Sequence, residues 1–375
     1  MPWNLFSKQS KSMVGLDIGT SRIKLVELIS KAGTVQLARA AVQLTPANAV
    51  KDGMITQPEL VAEAIKAGLA AGRFKSEQVV AAIAGQGVIA RHVKFPRMPA
   101  EEVREALKWE GQKYIPYPIE EAVVDFEIID GMADPNAPDM EVMLVASQKR
   151  LVDSHVKAIE LAGLSPIAID VQPFTVLRAL RWEPKGDSAK AGRAATAYID
   201  IGAGTTDIVI AEGERLRFTR IVPTGGNSFT AAIAERLGVS FDEAEQIKID
   251  EARLYEDESE CPVTDDRGRA IVDAVFQVAS SIAVDVRRSL DYHDLQLEAR
   301  SQDAGVTGVV LTGGGSVLEG LDRYFAAELG LATWRGDALR NLAISPKLLS
   351  KGDLATLGPM LAVGIGLALR EVADS

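Results

Sequence analysis

The feature that most constrains this chain is a duplication. VGLDIGTSRIKLVEL runs from Val14 to Leu28, and AYIDIGAGTTDIVIA from Ala197 to Ala211. Each copy is an apolar run, then Asp-Ile-Gly, then small or hydroxyl-bearing residues, then a second alternating run. That is the pattern of a β-hairpin closed by a short glycine-containing turn. Two copies in one chain predict two related lobes. A third strand-like stretch follows each hairpin, Thr34–Leu44 and Leu216–Val222, and helical patterns come next at Pro58–Leu69 and Ser228–Leu237. Each half therefore reads as a strand meander feeding a helix and further strands, an α/β arrangement.

The repeated turns carry chemistry. A tight turn between strands leaves backbone N–H groups pointing one way, and glycine lets an anion approach them closely. Gly19, Thr20 and Ser21, with Lys24 nearby, form one such concavity; Gly202, Gly204, Thr205 and Thr206 form the other. Facing each other, they would enclose a polyphosphate from both sides. Asp17, Asp200 and Asp207 would repel phosphate directly, but they suit the water shell of Mg²⁺, which uses few protein carboxylates. Asp17 or Asp200 could also orient a hydrolytic water.

A third glycine cluster, VVLTGGGSVLEGL, takes an apolar strand into Gly313, Gly314, Gly315 and Ser316 before a helix. Bare backbone there would accept a flat ring. Glu245 and Lys248 lie three apart on a predicted helix and could bracket ribose hydroxyls; taken alone, they are better explained as a solvated ion pair. The run Gly85-Gln-Gly87-Val-Ile-Ala90 imitates a dinucleotide fingerprint, but the segment after it alternates as a strand and offers no helix N-terminus for pyrophosphate.

Between the lobes lies material belonging to neither repeat. It comprises a strand at Val88–Phe95, a helix at Ala100–Tyr114, strands at Ala122–Ile129 and Glu141–Ala146 around the turn-rich GMADPNAPD, and a helix at Arg150–Ala162. The chain is thus divided into a first lobe core (1–85), an inserted subdomain (86–166), the first lobe again (167–190), a second lobe core (191–228) and its helical part (229–300). The second core then resumes (301–344), and a C-terminal segment (345–375) returns to the first lobe. The acidic YEDESE is read as a solvated loop.

Charge and composition exclude several classes. With 41 basic and 52 acidic residues the formal net charge is −11, and no basic stripe with interleaved aromatics reverses it, so nucleic acid is not the expected partner. One cysteine, Cys261, permits no internal disulfide. His92, His155 and His293 lack metal-ligand spacing. The apolar stretch Met360–Leu369 is far shorter than the ~20 residues that cross a bilayer, and PWNLFSKQSK does not read as a signal peptide. A cytoplasmic protein is expected; WNLF with Lys8 and Lys11 could touch membrane or partner, but a frayed terminus is the simpler reading.

Taken in order, Asp17–Lys24, Asp200–Asp207, Gly225-Gly226, Glu245 with Lys248, and Leu311–Ser316 resemble the nucleotide site of the actin, heat-shock-chaperone and sugar-kinase superfamily. The resemblance implies an actin-like (ribonuclease H-like) two-lobed fold with ATP and Mg²⁺ in the cleft. By that match Asp17–Ser21 and Asp200–Asp207 are phosphate loops, Thr312–Ser316 is the adenosine loop, Glu245 and Lys248 meet ribose and adenine, and Gly226 belongs to the nucleotide-binding set.

Within the superfamily, LKWEGQKYIPYPIEEAVVDFEI, VMLVASQKRLVDSHVKAIELAGLSPIAIDVQPFTVLRAL and LGPMLAVGIGLALR resemble the type IV pilus assembly family PilM, a relative of FtsA. That likeness implies a protein peripheral to the cytoplasmic face of the inner membrane. It would bind the cytoplasmic N-terminal peptide of PilN, join other inner-membrane pilus components, and reach the membrane through them. Any ATPase activity would be slow. An FtsA-like division scaffold is the first alternative, disfavoured because REVADS comes after the last predicted helix with no amphipathic tail. A small-molecule kinase of the same fold is the second; it would need a substrate-binding signature that the sequence does not show.

Overall fold

The computed structural model describes residues 13–31, 33–129, 138–180, 194–257, 261–298, 304–345 and 351–372. The N-terminal WNLF, most of GMADPNAPD and the last three residues of YEDESE lie outside them.

The first repeat folds as β1 (Val14–Ile18), β2 (Arg22–Lys31) and β3 (Thr34–Leu44), an antiparallel meander. A small ribbon, β4 (Val50–Lys51) with β5 (Met54–Ile55), leads into α1 (Pro58–Gly72), which starts on a proline where the missing N–H is harmless. β6 (Gln78–Ile83) then pairs in parallel with β1. Every residue of β1 is buried, as befits a strand covered on both faces.

The insert consists of β7 (Val88–Pro96), α2 (Ala100–Glu110), β8 (Ala122–Ile128) and β9 (Asp139–Gln148). Its sheet runs β7-β9-β8, antiparallel throughout, and has its own core of Val93, Phe95, Val103, Leu107, Met140 and Leu144. The helix expected to reach Tyr114 stops at Glu110 and tightens into a single 3-10 turn at Gly111–Lys113. Glycine is a poor helix former and releases the chain there. β7 begins directly after Gly87, so the imitation fingerprint has no helix behind it.

The chain returns through α3 (Lys149–Leu161), β10 (Ser165–Val171) and α4 (Gln172–Leu180). Sequence grouping placed residues 149–166 with the insert. In the structure Ala158, Ile159, Ala162 and Leu164 share a core with Val14, Leu16, Val61 and Ile65 of the first lobe. β9 runs into α3 without a break, so nothing local marks the crossing.

The second repeat folds as β11 (Ala194–Ile201), β12 (Thr206–Glu212) and β13 (Arg215–Val222). It continues with α5 (Gly226–Leu237), α6 (Phe241–Asp250) and the long α7 (Asp266–Glu298). Then come β14 (Ala304–Thr312), α8 (Leu321–Leu329), β15 (Ala332–Arg335), β16 (Ala343–Ile344), α9 (Lys351–Met360) and α10 (Ala362–Val372).

The duplication is topological as well as local. In the first sheet the order β3-β2-β1-β6-β10 matches β13-β12-β11-β14-β15 in the second. Each is a three-stranded antiparallel meander extended by two parallel strands. α4 and α10 lie between the two sheets. Val176 and Leu180 of α4 and Ile365 and Leu367 of α10 share one buried cluster with Val26 and Val80 of the first sheet and Tyr198, Val209 and Val310 of the second. That is why AVGIGLALREV is apolar nearly all round: no stretch of it faces water until Arg370. β16 pairs in parallel with β3 at Ala343 and Ile344, so the chain re-enters the first sheet there, whereas Pro359 of α9 accepts from Gly313 and Thr312 of the second lobe. No helix among the described residues is long and apolar enough to cross a membrane.

Candidate functional site

The two Asp-Ile-Gly turns meet. A Cβ placed on Gly204 would lie 3.2 Å from Thr20 Oγ1, which puts the second-lobe turn against the first. The first turn is closed by the Gly19 amide donating to the Arg22 carbonyl at 3.1 Å. Thr45 Oγ1 holds it from behind, donating to the Gly19 carbonyl at 2.7 Å. Asp17 and Lys24 are directly opposite in the β1–β2 register, and Lys24 Nζ donates to Asp17 at 2.8 Å.

The second turn is closed by Gly202 N–H to the Thr205 carbonyl at 2.9 Å. The start of α5 is stitched under it: Gly226 N–H donates to the Gly202 carbonyl and Asn227 N–H to that of Ala203, both at 2.8 Å. Glu245 and Lys248 are brought in by α6, whose N-terminus is capped by Ser240 Oγ accepting from Glu243 N–H at 3.3 Å. Lys248 Nζ donates to Glu245 at 2.6 Å, to Thr230 Oγ1 at 2.8 Å and to the Gly226 carbonyl at 3.1 Å. The pair is therefore anchored to the second turn rather than left in solvent.

The third loop closes over the same place. Gly313 has φ +83°, and a Cβ there would lie 2.2 Å from Asp200 Oδ1, so only glycine fits. Gly314 faces open space, with nothing within 4 Å of where its Cβ would be. The two turns, the start of α5, the Glu245–Lys248 pair and the third loop thus lie against one another. Thr206 and Ser316 play a different part from the one expected of them. Both are fully buried, their hydroxyls donating at 2.7 Å to the carbonyls of Thr224 and Gly313, so these side chains brace the loops from within.

The carboxylates are not solvent-facing. Asp17, Asp200 and Asp207 are 8%, 3% and 2% exposed. Burial pushes the Asp200 carboxyl up to about 6, and the charge of Asp17 adds to the shift; the Gln172 hydrogen bond and Lys24 oppose it. Asp207 is raised well above the ordinary aspartate range, by burial first and by Asp200 next. Its Oδ1 is buried without a hydrogen-bond partner. Among the described residues no group of three or more histidine, cysteine or carboxylate side chains could hold a metal ion directly. His155, buried on α3 with Nδ1 at 3.1 Å from the Leu151 carbonyl, is pulled down to about 4 by burial and stays neutral.

Gln172 escaped the sequence reading. It opens α4, and its Nε2 donates to Asp200 Oδ2 at 2.6 Å across the lobes. A lone amide inside the apolar IAIDVQPFTVL was the available signal. Two hollows lie elsewhere, flanking the insert. One of about 1030 Å³ faces β13 and the end of α7; the other, about 720 Å³, lies between the insert sheet and the first lobe.

A family model for the type IV pilus assembly protein PilM matches residues 15–372. The chain belongs to the PilM family. Among solved structures it is similar to the PilM–PilN type IV pilus biogenesis complex, with a TM-score of 0.82 and 31% identity over 96% of this chain and 98% of that one. The PilM-family chain is also related to the cell division protein FtsA. Identity is 26% to that of Neisseria meningitidis serogroup B, covering 84% of this chain and 81% of the relative. It is again 26% to that of Bacillus subtilis, covering 94% and 82%. MreB5 of Spiroplasma citri bound to ADP matches in fold alone, with a TM-score of 0.55 and 15% identity over 97% of each chain. The fold is the actin-like one, with the insert that PilM and FtsA resemblance implied.

Proposed function

We propose that this PilM-family chain holds ATP and Mg²⁺ between its lobes and, in that closed form, receives the cytoplasmic N-terminal peptide of PilN. It would thereby serve the inner-membrane pilus assembly complex from the cytoplasmic face. The observation that carries the reading is the meeting of the two turns, Gly204 on Thr20, over buried carboxylates. Such a junction suits a polyphosphate held by both lobes.

The residues fit the metal through its water shell. Asp207 Oδ1 has no protein partner, and Mg²⁺ keeps several waters and few protein ligands. The ion would offset the charge that burial now penalises on Asp200 and Asp207. Gly314 leaves room for a flat ring beside the Glu245–Lys248 pair.

The hollow between the insert and the first lobe suits an extended apolar peptide. Val123, Met143 and Val145 of the insert face Ile83, Ile169 and Phe174 of the lobe. β8 is the edge strand of its sheet and Val123 is 44% exposed, so a peptide could add main-chain bonds there as well as bury side chains. Similarity to the PilM–PilN complex supports PilN as the occupant.

Turnover should be slow, because a scaffold gains from a ligand that stays bound and stabilises one state. The test is fluorescence anisotropy of a labelled PilN N-terminal peptide with and without ATP·Mg²⁺, beside calorimetry of ATP. Saturable binding of both ligands supports the reading. A protein that binds ATP but never the peptide overturns the partner, and turnover of many ATP per second, lost in Asp17→Ala, overturns the scaffold role.

A further inference from the structure

The hollow of about 1030 Å³ opens over the seam where β7 of the insert meets β13 of the second lobe. Side chains hold that seam. Thr219 Oγ1 donates to the Ala90 carbonyl at 3.1 Å, and His92 Nε2 bonds the Leu216 carbonyl. Among the described residues no backbone ladder joins the two sheets. The insert adds Tyr114 to the lining, and the end of α7 adds Tyr292 and His293.

Its charge runs against that of the chain. The protein carries a formal −11, yet Arg91, Lys94, Arg217 and Arg220 line the hollow against one carboxylate, Glu141. Two of the four cations are engaged: Arg217 with Glu212 at 2.6 Å, and Arg220 with Asp285 at 3.0 Å. Glu141 lies 3.5 Å from His92 Nδ1 and 3.9 Å from Arg217. Lys94 stands opposite Glu141 in the β7–β9 register. Even so, among the described residues neither Lys94 nor Arg91 forms a hydrogen bond or an ion pair, and both are exposed. The hollow therefore holds two cations free for an anionic partner.

A second observation points to a ligand. His293 is 4% exposed, lines the hollow, and has its Nε2 buried without a hydrogen-bond partner. A buried polar atom left unpaired is costly, and a ligand in the hollow would supply what it lacks.

The apolar surface distinguishes a polypeptide from a small anion. Phe218 and Tyr292 stack with ring centroids 5.5 Å apart, and Tyr292 is half exposed. Beyond the hollow, Leu295 and Val284 of α7 are exposed too, and at 3.6 residues per turn they share one helix face with Tyr292. A small anion would use only the cations. An apolar strip running out of a positive hollow suits a protein segment.

We propose that this hollow docks a short acidic segment of a second protein, its carboxylates meeting Arg91 and Lys94 and an apolar side chain resting on Phe218 and Tyr292. The hollow shares no lining residue with the groove beside Val123, so the proposal stands apart from the reading of that groove as a PilN site.

The test uses the full chain and a labelled decapeptide of alternating glutamate and leucine with one central phenylalanine, followed by fluorescence anisotropy. Two control peptides carry glutamine or lysine in place of glutamate. Wild type should bind the acidic peptide about tenfold or more tightly than either control, and the preference should shrink as salt is raised. The double variant Arg91→Glu, Lys94→Glu should lose about tenfold or more in affinity for the acidic peptide. It should keep its melting temperature and its binding of ATP and of the PilN peptide, since both side chains are exposed and unpaired. Equal binding of the acidic and glutamine peptides, undiminished binding by the double variant, or no binding at all overturns the inference. So does a protein that ignores the peptide but binds inorganic triphosphate and loses it in the double variant, which would make the hollow a small-anion pocket. A dimer in sedimentation velocity that the double variant abolishes would make the occupant another copy of this chain, and overturns the inference as well.

Discussion

Gln172, the first residue of α4 in the first lobe, donates a 2.6 Å hydrogen bond to Asp200 in the second. It is a direct polar link between the lobes at the candidate site, and it opposes the effect of burial on the Asp200 carboxyl. Gln172→Leu removes the donor while keeping much of the volume. Loss of a hydrogen bond to a buried charged group costs roughly 1.5–3 kcal/mol. The variant should unfold at a correspondingly lower urea concentration and bind ATP more weakly.

The same carboxyl sets a pH dependence. Its pKa in the folded protein is raised to about 6 from an ordinary value of 3.8, so the folded state holds this proton more tightly than the unfolded chain. Its favourable contribution is therefore complete below about 3.8 and is lost as pH rises through about 6. Asp200→Asn removes the penalty of burying the charge. Without nucleotide, the variant should melt higher than wild type at pH 8, and the gap should shrink by pH 5, as measured by calorimetric melting across that range. A gap that is constant with pH would contradict the assignment.

How much of this was legible beforehand depended on distance along the chain. The hairpins at Asp17 and Asp200 were readable because turn chemistry and strand alternation are local, and β3 begins and ends at Thr34 and Leu44 as read. The insert's strands were readable for the same reason. Placement of Gln172 was not, since its partner lies in a different lobe and only tertiary packing joins them. The membership of α3 was hidden because Ala158 and Ile159 show a helical stripe that would suit either core. The hydroxyls of Thr206 and Ser316 looked available from composition; their orientation inward is a property of the folded loops.

Asp207 tests the metal role. Its unpartnered Oδ1 should act on nucleotide chiefly through Mg²⁺. Asp207→Asn should weaken ATP binding by about tenfold or more when Mg²⁺ is present, the scale of a 1.4 kcal/mol loss, and change it little in EDTA. Titration calorimetry under both conditions reads the difference, and equal losses would mean that the residue acts without the ion.

Gly313 tests the third loop. A methyl group at φ +83° is strained and would press on Asp200 Oδ1 at 2.2 Å. Gly313→Ala should destabilise the protein by more than the ~1 kcal/mol typical of strain-free changes, and nucleotide should no longer raise its melting temperature. An unaltered thermal shift with ATP·Mg²⁺ would show that the loop does not border the ligand.

The helices packed between the two sheets have a consequence for synthesis. The first lobe's meander emerges from the ribosome early, but its buried cluster is closed by Ile365 and Leu367 of α10, and its edge by β16. At elongation rates of about 5–20 residues per second, those segments arrive tens of seconds after β1. The second lobe's sheet, finished at Arg335, is made in nearly one continuous stretch and can settle first. During the interval the nascent first lobe exposes Val26, Val80 and their neighbours to water. A holding chaperone, or the second lobe itself used as a temporary surface, would shield them until α10 arrives.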